Sequence, residues 1–69
     1  MALEKELATY NREKDRLLAR DEGRHVLIKD DQVVATWDTY RDALLAGHKL
    51  FGLDPFFIKK IEALELPLY

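Results

Sequence analysis

The chain contains no cysteine and no serine. The first absence excludes disulfides and thiolate metal sites. The second removes the commonest hydroxyl nucleophile of acyl-transfer enzymes. Glycine and proline are scarce, at three and two residues, so turns must be made largely by other residues. No run approaches the roughly 18 apolar residues that span a bilayer. Neither charge dominates: 11 basic against 13 acidic side chains leave a net charge of −2, which supplies no electrostatic pull toward nucleic acid or anionic lipid. The start, Met1-Ala2-Leu3-Glu4-Lys5-Glu6, is too charged for a secretory signal, and a cytoplasmic location is expected.

What remains is a 69-residue chain in which 48% of residues are hydrophobic. A domain this small buries only about 60% of its unfolded surface, so it needs dense packing or a partner. Residues 3 to about 21 read as an amphipathic helix, with Leu3, Leu7, Tyr10, Lys14, Leu17 and Leu18 at helical spacing. Gly23 stands where a left-handed cap would end it. The period then shortens. His25–Lys29 and Val33–Trp37 are β-rich runs around Asp30-Asp31-Gln32, a hairpin over about 24–37.

A second helix is expected over about 39–51, capped by Thr39 with Asp42 three residues on. Its inward stripe is Tyr40, Ala43, Leu44, Gly47 and Phe51, and Gly47 reads as a point of close approach to the sheet. Gly52 caps this helix, Leu53 is expected to fold back on its last turn, and Pro55 stops continuation. A third strand follows at about 56–62, then an extended tail at 63–69 in which Pro67 excludes a central strand position. The expected fold is a single α+β domain of order α-β-β-α-β. Its sheet of three strands is mostly antiparallel and packed with two helices. The order 2-1-3 resembles the split βαβ arrangement, with a parallel placement of strand 3 beside strand 2 as the alternative.

The stretches Gly23–Lys29, Val33–Tyr40 and Ala46–Lys59, with the block Phe51-Gly52-Leu53-Asp54-Pro55-Phe56, resemble a family of short uncharacterised bacterial proteins. Family members carry a Gly-x-aromatic-Val-Leu-Ile-Lys strand and a Phe-Gly-Leu-x-Pro-Phe block. The chain departs from the pattern at Asp30-Asp31 and Ala35, where glycine is usual, and at His25 and His48, where an aromatic ring is usual. The resemblance implies no established activity. Some such proteins look similar to ones encoded beside retropepsin-like aspartic proteases, which would make this chain an accessory subunit of such an enzyme.

No catalytic, cofactor or metal residues emerge. His25 and His48 lack a neighbouring nucleophile or ligand spacing and read as rings at the core margin. Asp30-Asp31 reads as a turn, since a calcium loop needs six to eight oxygens. Arg12, Lys14, Arg16, Arg20 and Arg24 alternate with Glu13, Asp15, Asp21 and Glu22, as on a solvated helix face. The apolar surplus is more informative. Both faces of the expected sheet carry apolar residues, and two helices on one face would leave the other for a partner. Leu27, Val34 and Ile61, or the edge Leu64–Leu66–Leu68, are therefore the candidate interface. The reading is a non-enzymatic protein-interaction module, expected to form a homodimer or bind another protein. The alternatives are an accessory subunit and, less favoured, a small DNA-binding regulator.

Overall fold

A computed structural model describes residues 4–63. Helix α1 spans Glu4–Asp21, strand β1 His25–Lys29, strand β2 Gln32–Trp37, helix α2 Tyr40–Phe51 and strand β3 Phe57–Lys60. The sheet runs β2-β1-β3, and β1 is antiparallel to both neighbours. This is the expected α+β order and strand arrangement.

Local chemistry accounts for the boundaries. Glu4 and Glu6 in the first turn of α1 and Arg20 in its last complement the helix dipole. Gly23 adopts φ 91°, which reverses the chain into β1. At the hairpin Asp30 takes φ 56°, the left-handed conformation that aspartate tolerates better than most side chains. Thr39 caps α2 by accepting from the Asp42 N–H at 3.1 Å. Gly52, at φ 61°, donates its N–H to His48 O at the other end. Leu53 does not fold back: it is fully exposed.

The two helices lie on opposite faces of the sheet. Tyr10 and Leu17 of α1 pack with Val26, Ile28 and Ile61, flanked by Leu18, Val33 and Phe57. Leu27 points the other way, since successive strand residues alternate, and it is buried on the face that α2 covers, where α2 in turn buries Ala43 and Gly47. The sequence expectation of an uncovered sheet face is thereby corrected. One helix covers each face, so the apolar run Val26-Leu27-Ile28 is the signature of a central strand buried on both sides.

The hairpin contains an irregularity that the alternation did not show. Leu27 pairs with Ala35 but Ile28 pairs with Val33, leaving Val34 as an extra residue on β2. The bulge turns Val33 toward the α1 core while Ala35 stays on the α2 side. Simple alternation would have put both on one face.

Polar residues complete the α1 contact. Glu6 and Thr9 are buried, whereas Leu7, expected on the inward stripe, is half exposed. Glu6 Oε2 accepts from the Asp30 N–H at 2.8 Å. The Thr9 hydroxyl lies 2.9 Å from both Asp30 O and Lys5 O, and its one proton serves one of them at a time. Arg12 donates to Asp31 O at 3.0 Å. Three side chains at helical spacing thus hold a hairpin turn that has no glycine. Replacing Glu6 by alanine leaves the Asp30 N–H of this part-buried bond without its acceptor and should destabilise by about 1–3 kcal/mol. Glu6→Gln, which keeps an acceptor oxygen, should cost less. Urea melts of the two variants give the comparison.

Candidate functional site

The two histidines sit apart in the fold and serve as packing rings. His25, at the start of β1, stands edge-on to Tyr40 with centroids 6.1 Å apart. His48, on α2, stands edge-on to Phe56 at 5.3 Å. Such T-shaped pairs are favourable contacts between rings. Tyr40 itself remains half exposed rather than inside the expected stripe. Among the described residues no group of three or more His, Asp or Glu side chains is placed to hold a metal ion. The Nδ1 atom of His25 is buried without a hydrogen-bond partner among the described residues. His25→Phe keeps the ring contact and removes that polar atom, so its stability should match or slightly exceed wild type. A thermal melt decides it.

Asp30 and Asp31 use their backbones to meet α1, as described above. Basic residues of α1 and of the turn after it form local ion pairs. Arg16 pairs with Glu13 at 2.6 Å, and Arg24 pairs with Asp21 at 3.5 Å and Asp38 at 3.1 Å. All are substantially exposed pairs, of little energetic weight.

The candidate interface residues are divided by the structure. Leu27 and Ile61 are both 0% exposed within the single chain. Neither is a surface residue: Leu27 lies under α2 and Ile61 belongs to the α1-side core, tied in by the Ile61 N–H to Arg24 O bond of 2.9 Å. Val34 is different. It is 37% exposed, on the bulge of an edge strand. Leu64, Leu66 and Leu68 lie outside the described residues.

Around Val34 the structure forms a surface groove between α1 and β2. Leu17 and Val33 contribute to its floor, Arg16 and Arg20 to its α1 wall, and Ala35 and Thr36 continue the β2 side. Among the described residues no strand pairs with the outer side of β2. The two sheet edges differ in chemistry. β3 carries Lys59 and Lys60, and charged residues of this kind discourage further strand pairing. β2, Gln32-Val33-Val34-Ala35-Thr36-Trp37, carries no charge. Apart from Val34, the groove residues were missed in the sequence because they belong to elements far apart in the chain. The uncharged run of β2 was the available signal. Among the described residues no helix is long and apolar enough to cross a membrane.

No family model, no curated protein and no solved structure matches this chain.

Proposed function

We propose that this chain is a cytoplasmic protein-interaction module that acts by contact rather than catalysis, with the outer edge of β2 as its docking surface. The observation that carries this reading is the contrast in charge between the edges: β3 is guarded by lysines, while β2 is uncharged and bordered by a groove. Edge strands with free N–H and C=O groups receive an extended segment by adding it to the sheet. Burial of Leu27 and Ile61 inside the chain removes most of the apolar surface that favoured a homodimer. Of the candidate interface residues that the structure describes, Val34 on the β2 edge is the one left exposed, for another protein or for a second copy.

Val34→Lys tests this. Val34 is outside the ladder and partly exposed, so its replacement should alter stability by no more than about 0.5 kcal/mol. The same change places a charge in the docking edge. Wild-type and variant chains, used side by side as baits and sedimented alone at high micromolar concentration, should differ in what they retain or in their mass. Identical capture and a monomeric mass for both would reject β2 as the docking edge.

A further inference from the structure

We infer that the β2 edge receives an extended segment carrying acidic side chains at alternate positions, held by Arg16 and Arg20 of α1. This inference rests on the β2-edge reading and names the chemistry of its partner.

The arginines of α1, together with Arg24 just beyond it, follow β2 from end to end. Arg12 donates to Asp31 O just before the strand begins. Arg24, beyond the helix, donates to Thr36 O near the strand's end at 3.3 Å. Between them Arg16 and Arg20 line the groove beside Val33, Val34, Ala35 and Thr36. The outer two are tied to hairpin backbone; the inner two are exposed on the groove wall. Glu13 is bonded to Arg16, but an exposed pair three residues apart on a helix is weak and exchangeable. Asp21, the other acid at the groove, is already paired with Arg24.

The spacing fits a strand. Residues four apart on a helix are separated by about 6 Å along its axis. Alternate residues of a strand, which point to the same face, are separated by about 6.7 Å. A segment added to β2 therefore presents every second side chain to the α1 wall at nearly the arginine spacing. Carboxylates at those positions meet guanidinium groups, whose planar fork matches a carboxylate in two parallel bonds. The side chains in between face the α2 side, beside Ala35 and Trp37, and are apolar. A second copy docking β2 against β2 would bring two arginine rows together, which disfavours that occupant. Nucleic acid would use the arginines but not the strand edge.

The full chain is titrated against fluorescent eight-residue peptides, with amide chemical shifts followed in parallel. One peptide alternates Glu and Val, one alternates Lys and Val, and one is the Glu/Val peptide N-methylated at alternate amides. The Glu/Val peptide should bind at least tenfold more tightly than the Lys/Val peptide, more weakly at high salt, and should shift the amides of Gln32–Trp37. N-methylation should cost at least tenfold. The double variant Arg16→Glu, Arg20→Glu should reverse the preference, and Arg16→Gln, Arg20→Gln should erase it, both with melting temperatures near wild type. Equal binding of both charged peptides at β2 overturns the acidic partner and leaves the docking edge standing. No β2 shift with any peptide overturns both. Undiminished binding of the methylated peptide, or tighter binding of single-stranded DNA at the same arginines, also overturns the inference.

Discussion

Leu27→Ala is expected to destabilise the chain by about 2–5 kcal/mol, the range for removing a large aliphatic side chain from a packed interior. Leu27 is 0% exposed at the centre of the middle strand, with Ala35 opposite on β2 and Ile58 opposite on β3. All three point toward the face that α2 covers, and the residues that α2 buries, Ala43 and Gly47, carry little side chain with which to refill the space a leucine leaves. For a domain of 60–100 residues each kcal/mol moves Tm by roughly 4–8 °C, so a fall of at least about 8 °C follows. Native stability at this length is itself only about 3–10 kcal/mol, and the variant stands near the limit of folding. Val34→Ala is the internal control. Its exposed site on the bulge predicts a change within about 0.5 kcal/mol. A Leu27→Ala melt that coincides with that of Val34→Ala would place Leu27 on a surface, as the sequence alone had suggested.

That earlier suggestion came from assuming that both helices share a face. The element order, both helix ends, the hairpin and the strand arrangement were legible because each has a local cause: the Thr39 cap, the Gly23 reversal, the apolar periods. Which face each helix covers is a tertiary matter, yet a clue was present. Val26-Leu27-Ile28 is a continuous apolar run, as a strand covered on both faces requires, whereas a strand with one wet face alternates. The Val34 bulge was not legible, because Val33-Val34-Ala35 offers no glycine or change of polarity to mark it. Nor was the clamp on the turn. Glu6 and Thr9 lie on the inward face of α1 with Tyr10 and Leu17, but polar residues there read as solvated until the Asp30 backbone is placed against them. The same blindness hid the groove. Arg16 and Arg20 read as a solvated helix face, and only the pairing of the hairpin against α1 sets them beside an open strand edge.

Gly47→Leu should destabilise by about 1–3 kcal/mol even though leucine is the better helix former by nearly 1 kcal/mol. Sequence reasoning placed Gly47 at a close approach between α2 and the sheet. The structure assigns that approach to one ring, the Phe56 side chain just before β3. A Cβ at Gly47 would stand 2.5, 2.7 and 2.9 Å from Cε1, Cζ and Cδ1 of Phe56, inside van der Waals contact at all three atoms. A ring at the end of a side chain can swing away, so the size of the penalty depends on what restrains it. Phe56 is held edge-on by His48 at 5.3 Å and lies against Phe51 at 6.2 Å. Displacing it breaks up an aromatic cluster that joins the end of α2 to the start of β3. The cause can be separated from helix propensity by a double-mutant cycle with Phe56→Ala. If the ring is the obstacle, Gly47→Leu should be less damaging, or even stabilising, once the ring is gone, with a coupling of about 1–3 kcal/mol between the sites. Additive effects in denaturant melts would show that the glycine serves the helix backbone and not its contact with Phe56. A Gly47→Leu chain as stable as wild type would mean that the aromatic cluster repacks freely.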